Sequence, residues 1–150
     1  MSTRRILILH KISPYQYLLR RPSLLTYCPP HSRILSRFKK THAAHYQTLR
    51  ALEKFLRASR IPYVKKRRGQ MRDYRGFDLI VSVGGDGTFL EAARHLTDQY
   101  ILGINSDPVW SVGRLCTAHP GNMTKVLRRI LSGKFRVRPL HRLELTISRE

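Results

Sequence analysis

Apolar residues along the chain follow two periods, and their alternation predicts the secondary structure. Short continuous apolar runs predict buried strands near residues 5–10, 61–64, 79–83 and 100–104. Apolar residues at helical spacing predict an amphipathic helix over 41–59 and another over 122–132, with Gly133 as its C-terminal stop. A third helical pattern follows the glycine-rich segment 84–88, and we expect this helix to begin close to Thr88. Alternating strands and helices are typical of an α/β domain with a parallel, doubly wound sheet.

The stretch between the first strand and the first of these helices interrupts the alternation. Four prolines, at positions 14, 22, 29 and 30, break any long helix within residues 12–40. We therefore predict a long loop or insertion there, with about one helical turn in it.

The last residues change the pattern again. In the segment HRLELTISRE, Leu143, Leu145 and Ile147 alternate with polar residues, which predicts a half-buried strand of the antiparallel type. Because one such strand has no partner here, we expect residues 1–138 to form the α/β domain and residues 139–150 to begin a second, all-β domain that continues beyond this sequence. The unpaired apolar edge of this strand would favour association with other chains.

The composition excludes several classes of protein. A chain of 150 residues with 41% hydrophobic residues can bury the core of one domain. Its apolar runs are much shorter than the ~20 residues of a membrane span, and MSTRRILILH lacks the apolar stretch of a signal peptide. Cys28 and Cys116 are too few for a disulfide framework and show no CxxC spacing. We expect a cytoplasmic protein, or a protein of the mitochondrial matrix if the source is eukaryotic.

The formal net charge of +20 raises the question of nucleic-acid binding. The charge is +17 over residues 1–72, −4 over 73–113 and +7 over 114–150, so two basic flanks enclose a slightly acidic centre. The run KKRRGQMR at 65–72 is interpreted as an exposed loop. A basic surface of this kind could attract phosphate-bearing cofactors as easily as nucleic acid, or it could simply be a solvated surface. Neither base-stacking aromatic residues nor a known nucleic-acid-binding fold accompanies the charge.

Two histidines at the start of the predicted helix 41–59 could in principle bind a metal. His42 and His45 stand three residues apart, but no further ligands accompany them. We interpret both as ordinary surface residues and predict no metal site made by them.

The segment GGDGT at 84–88 is the motif that points to chemistry. It follows a buried strand and opens a helix, which is the place where α/β sheets bind ligands. Its glycines let a phosphate approach the main chain, and the N–H groups of the next helical turn point at that phosphate. Asp86 would repel a phosphate, so an acid here makes sense if it accepts the proton of an attacking hydroxyl or holds Mg²⁺, although glycine-rich turns also occur at strand–helix junctions for structural reasons. The residues therefore indicate phosphoryl transfer to an alcohol.

The stretch DLIVSVGGDGTFLEAARHL resembles the core motif of the NAD kinases (ATP-NAD kinases), which share this loop with diacylglycerol-type lipid kinases. The resemblance continues in ILGINSDPVWSVGRLC at 101–116, where the NSDP and LC elements are similar to the mitochondrial-type branch and its bacterial relatives. The strand that ends in His10-Lys11 and the segment KKTHAAHYQTL are similar to the same branch.

This resemblance implies a Rossmann-like α/β domain followed by a β-sandwich domain. It implies ATP or polyphosphate as phosphate donor, Mg²⁺ as cofactor, and the 2′-hydroxyl of the adenosine ribose of NAD as acceptor, with NADP as product. By its place in the motif, Asp86 would be the general base. The nucleotide-binding residues would be the phosphate cradle of Gly84, Gly85, Gly87 and Thr88, with Phe89 and Asn105 at the edge of the pocket. A homo-oligomer is implied for the full-length protein.

Two departures limit what the resemblance carries over. Relatives often have a basic residue five positions after the motif aspartate, where this chain has Glu91. The Asn-Glu pair with which the family grips NAD belongs to the second domain and has no counterpart here. We therefore expect the 150 residues alone to be poorly active or inactive.

Three alternatives stay open at this point. A diacylglycerol-type lipid kinase would usually follow its GGDGT with an Asn-Glu pair, whereas this chain continues with Phe89, Leu90 and Glu91. A truncated pseudo-enzyme that still binds nucleotide would carry the same motif. A nucleic-acid-binding domain would use the basic first third of the chain.

Overall fold

The computed structural model describes residues 5–27, 29–143 and 146–147. Its elements, in chain order, are β1 (Ile6–His10), α1 (Pro14–Leu19), a 3₁₀ helix (Pro22–Tyr27), α2 (Arg33–Ala58), β2 (Tyr63–Arg67), β3 (Leu79–Gly84), α3 (Asp86–Ala93), β4 (Tyr100–Asn105) and α4 (Met123–Leu131).

The four strands form a parallel sheet, as predicted, in the order β2-β1-β3-β4. The register pairs His10 with Arg67 on one side and with Val83 on the other, and it pairs Gly84 with Asn105. Because all strands run in the same direction, their carboxyl ends meet at one edge of the sheet. The residues that follow these four ends therefore surround the glycine-rich segment.

Alternate residues of the central strands face two apolar layers. On one face, Ile6, Ile8 and Val81 pack with buried leucines of α2 and α4. On the other face, Leu7 and Leu9 pack with residues that include Ala92 of α3. The sheet is thus covered by helices on both faces, which confirms the predicted α/β class and explains why β1 and β3 are continuous apolar runs.

The prediction of a long loop over 12–40 is wrong in part. This stretch contains α1 and the 3₁₀ helix, and α2 begins at Arg33 instead of 41. Pro14 is the first residue of α1, a position that needs no N–H donor. The other prolines precede Ser32, whose Oγ accepts a hydrogen bond from the Leu35 N–H (3.1 Å) and caps α2.

The basic run 65–72 was predicted as an exposed loop, but its first three residues belong to β2. This strand lies at the edge of the sheet, where charged side chains are tolerated and block pairing with other chains. Lys65 forms an ion pair with Glu53 of α2. The prediction failed because strand pairing with β1 outweighs the local charge pattern.

Arg142 lies against the end of α3. The Arg142 guanidinium donates to the carbonyl oxygens of Ala93 (2.6 Å) and Leu96 (3.0 Å), close to the C-terminal end of that helix. The described residues 139–143 and 146–147 form no strand, and Leu143 is fully exposed, so the predicted half-buried strand is absent from them. Leu145 lies outside the described residues, and the domain boundary at 138 stays a prediction.

None of the described helices is both long enough and apolar enough to cross a membrane.

The close contact between β4 and the chain that follows it depends on Gly103. A Cβ atom at Gly103 would lie 2.9 Å from the Cys116 Cα and 2.9 Å from the Phe89 ring. Since the Cys116 Cα belongs to the backbone, Gly103→Ala should destabilise the protein by about 1–3 kcal/mol in urea unfolding. Gly87→Ala is the matched control, because the nearest atom there is 3.9 Å away and its stability should be unchanged or slightly raised. Wild-type stability of Gly103→Ala would contradict this packing.

Candidate functional site

The glycine-rich segment joins the end of β3 to the start of α3. Gly84 is the last residue of β3, Gly85 is the N-cap, and Asp86 is the first residue of the helix. The predicted start close to Thr88, with Asp86 in a turn, is therefore wrong by two residues. The Gly85 carbonyl accepts from the N–H groups of Thr88 (3.0 Å) and Phe89 (3.2 Å), and an acid is favoured in a first helical turn.

Two of the glycines are required by close contacts. A Cβ atom at Gly84 would lie 2.3 Å from the Thr88 Oγ1, and one at Gly85 would lie 2.5 Å from the Ser111 Oγ. At Gly87 the added atom would find nothing nearer than the Arg68 Nη1, 3.9 Å away. The first two glycines therefore allow tight packing, whereas Gly87 leaves the start of α3 open to a ligand.

The Asp86 carboxylate binds the loop that follows β4. Its Oδ2 accepts from the Arg114 N–H (3.0 Å) and its Oδ1 accepts from the Leu115 N–H (2.8 Å). An ionised carboxylate has about four acceptor sites, so each oxygen keeps one for another donor. Asp86 is half-buried, and it therefore anchors the loop and still has the capacity to accept a hydrogen bond from a bound hydroxyl.

Asn105, the last residue of β4, is also occupied by this loop. Its Nδ2 donates to the Ser111 carbonyl (2.7 Å), and its Oδ1 accepts from the Asp107 N–H (3.2 Å). A Cβ atom at Gly113, where φ is +61°, would lie 2.4 Å from the Asn105 Nδ2. The structure brings Asn105 to the glycine-rich segment, as expected of a site residue, and its contact with a ligand stays a prediction.

Thr88 and Phe89 lie beneath the segment. Both are buried, Thr88 against Gly84 and Phe89 against Gly103 of β4. They hold α3 on the sheet, and the predicted place of Phe89 at the edge of a pocket stays a prediction.

A layer of histidines supports the loop after β4, and the sequence analysis missed it. His45 is fully buried, so its interpretation as a surface residue is wrong. Its Nδ1 is hydrogen-bonded to the Ser106 Oγ (2.9 Å), and its ring lies 5.9 Å from the ring of His10. The signal was present, because His45 lies four residues before Leu49 and seven before Leu52 on the apolar face of α2.

Burial keeps these imidazoles neutral. Burial, with a smaller contribution from the positive charge of Lys11, lowers the pKa of His45 from 6.5 to about 3. Burial also lowers the pKa of His10 and of His42, whose Nδ1 is hydrogen-bonded to the Ser13 Oγ (2.7 Å). The described residues contain no group of three or more His, Cys, Asp or Glu side chains able to hold a metal.

Two cations that the sequence analysis did not assign to the site lie at the same edge of the sheet. Lys11 directly follows β1, and Arg68 directly follows β2. The Arg68 N–H donates to the His10 carbonyl (2.9 Å), which extends the pairing of the two strands by one residue. Their position depends on strand register, which no local pattern reveals.

The neutral state of His45 predicts an acid-sensitive fold. In the unfolded chain His45 binds a proton below pH 6.5, whereas in the folded chain it does so only near pH 3. The free energy of unfolding should therefore keep its full value above pH 6.5. Between these two pKa values it should fall with decreasing pH, by up to about 1.4 kcal/mol per pH unit. His45→Gln should flatten this slope in urea unfolding at several pH values, and the exposed control His31→Gln should not. Equal slopes in the two variants would contradict the assignment.

The model of the ATP-NAD kinase N-terminal domain family matches residues 25–135. The chain is 27% identical to an NADH kinase of Arabidopsis thaliana over 168 aligned residues, which cover 100% of this chain and 52% of that protein. It is 35% identical to the NAD kinase 2, mitochondrial, of Xenopus tropicalis, over 55% of this chain and 20% of that protein. It is 36% identical to an NAD kinase of Clostridium perfringens, over 53% of this chain and 29% of that protein. The chain thus spans about half the length of the first relative and less of the others.

Proposed function

Because the chain belongs to the ATP-NAD kinase family by its N-terminal domain, we propose that it forms the nucleotide-binding part of an enzyme that phosphorylates NAD. The reaction would transfer the γ-phosphoryl group of ATP to the 2′-hydroxyl of the adenosine ribose, giving NADP. The observation that carries this proposal is the position of Asp86. An acid stands in the first turn of a helix at the carboxyl end of a parallel strand, where a simple phosphate site would avoid negative charge.

The start of α3 would receive the phosphates of the donor. In the first turn of α3, the Thr88 and Phe89 N–H groups donate to the Gly85 carbonyl, which leaves the N–H groups of Asp86 and Gly87 for a ligand. Gly87 exposes this turn, since it has no side chain and the nearest atom to an added Cβ is 3.9 Å away. The partial positive charge of the helix N-terminus would stabilise the charge on the transferred group.

Asp86 would take the proton of the acceptor hydroxyl. The hydroxyl oxygen forms a bond to the γ-phosphorus, the bond from that phosphorus to the bridging oxygen breaks, and ADP leaves. The hydroxyl proton moves to a carboxylate oxygen of Asp86 that still has a free acceptor site. The two N–H donors of Arg114 and Leu115 hold this carboxylate in place, so it would meet the hydroxyl in a fixed orientation.

A magnesium ion fits these residues only when it binds together with the phosphates of the donor. Mg²⁺ is usually bound by one or two carboxylates together with substrate phosphates and water. Asp86 supplies one carboxylate in the glycine-rich segment, and the described residues form no cluster that would hold a metal by themselves. When bound, Mg²⁺ would neutralise charge on the phosphates.

The relatives favour a dinucleotide acceptor over a lipid, since those reported above are named as kinases of NAD or NADH. A nucleotide-binding chain without activity is distinguished from the kinase by the assay below. The homo-oligomer and the cytoplasmic or mitochondrial location stay predictions.

Replacement of Asp86 tests its role as a base in the NAD kinase assay. In a protein that contains this chain and forms NADP, Asp86→Asn should lower kcat by about 10²–10⁴-fold. The acid limb of the pH–rate profile, where kcat falls as the base is protonated, should disappear with it.

A second variant separates this role from the anchoring of the loop. Gly113→Ala places a Cβ atom against Asn105 at a positive φ and should disturb the loop, but it keeps the Asp86 carboxyl group, which can still titrate. It should retain the acid limb even if kcat falls. Wild-type turnover in Asp86→Asn, or loss of the acid limb in both variants, would show that Asp86 is not the base.

A further inference from the structure

A cavity of about 510 Å³ opens at the carboxyl end of β1 and β2. Its walls come from α1, the 3₁₀ helix, α2 and the residue Ile12 after β1. Apart from Arg68, they are the apolar or aromatic side chains of Ile12, Pro14, Tyr17, Leu18, Leu24 and Phe38. This volume lies within the roughly 300–1,000 Å³ of small-molecule sites, and apolar walls suit a flat, uncharged ring system.

Arg68 connects this cavity with the glycine-rich segment. The side chain lines the cavity, and its Nη1 lies 3.9 Å from the position of a Cβ atom at Gly87. Among the described residues, its guanidinium has no hydrogen bond or ion pair. The backbone N–H of Arg68 is fixed on the His10 carbonyl, so the side chain starts from a rigid position.

Lys11 adds a second positive charge beside Arg68, because the register pairs His10 with Arg67 and the two cations directly follow that pair. Burial lowers the pKa of Lys11, the nearby Asp107 raises it, and the charge of Arg68 lowers it again. The two cations thus repel each other at the carboxyl end of β1 and β2. A polyanion bound between them would remove this repulsion, and Arg is well suited to phosphate oxygens because its planar fork can bind two at once.

Arg68 of the cavity and the loop bound by Asp86 follow strands at opposite edges of the sheet. Arg68 follows β2, at one edge of the sheet, and reaches Gly87 from there. The Asp86 carboxylate is bonded to Arg114 and Leu115, in the loop that follows β4 at the other edge. A donor on the Arg68 side and an acceptor on the Asp86 side would face each other across the open first turn.

We propose that this cavity binds the base of a nucleoside triphosphate and that Arg68 and Lys11 hold its phosphates at Gly87. The inference rests on the proposed function and deepens it, because it names the residues that bind the ATP donor and gives a reason why polyphosphate would bind less well. Polyphosphate carries no group that would occupy an apolar cavity, whereas ATP fills both the cavity and the cationic end.

Isothermal titration of the chain with ATP and with tripolyphosphate, both in the presence of Mg²⁺, tests this assignment. Leu24→Trp fills the cavity and Tyr17→Ala removes part of its wall, so each should weaken ATP binding by about tenfold and change tripolyphosphate binding by less than about twofold. Arg68→Gln should weaken both ligands by about tenfold. Arg128→Gln removes the same charge from the exposed face of α4 and should weaken neither.

Thermal unfolding of each variant shows that it is folded before binding is measured. Unchanged ATP affinity in both cavity variants, or equal weakening of ATP and tripolyphosphate in them, would overturn the base-binding cavity. Equal affinity of the wild-type chain for the two ligands would also overturn it. None of these variants changes Asp86, so the proposed function can still hold if the binding experiment fails. Conversely, if no NADP is formed, the result of the binding experiment still holds.

Discussion

The hydrogen bonds from the Arg114 and Leu115 N–H groups to the Asp86 carboxylate are the link on which the rest of the site depends. They join the first turn of α3 to the loop after β4, and this loop in turn occupies the amide of Asn105 and packs Ser111 on Gly85. A neutral side chain at position 86 would lose the charge-assisted part of these bonds. The acid thus has a structural function, and a spare acceptor site on each oxygen leaves it free for chemistry.

The sheet explains why so few residues suffice to build this site. Parallel strands bring the residues after β1, β2, β3 and β4 to one edge, although they are far apart in sequence. Charge is separated along this edge, with Lys11 and Arg68 on the β1–β2 side and Asp86 facing the loop after β4. The neutral, buried His45 lies beneath that loop and fixes it through Ser106 without adding charge.

The hydrophobic pattern was sufficient to predict the parallel sheet. The strands β1, β3 and β4 are apolar runs, as expected for strands that are buried on both faces. It did not predict the start of α2 at Arg33 or the extension of β2 through Arg67, because capping by Ser32 and pairing with β1 decide those bounds. The motif predicted the place of Asp86 at the end of β3, but its bonds to a loop 28 and 29 residues later depend on tertiary contacts. The approach of Arg68 to Gly87 depends on strand register in the same way.

Amide hydrogen exchange measures the central link most directly, because each N–H reports its own hydrogen bond. In the wild-type chain the Arg114 and Leu115 amides should be protected, and in Asp86→Ala they should exchange at least about tenfold faster. The Ala118 amide, which donates to the Gly103 carbonyl, should keep its wild-type rate and serve as the internal control. Unchanged protection of Arg114 and Leu115 in Asp86→Ala would contradict the account, since the loop would then be held without the carboxylate.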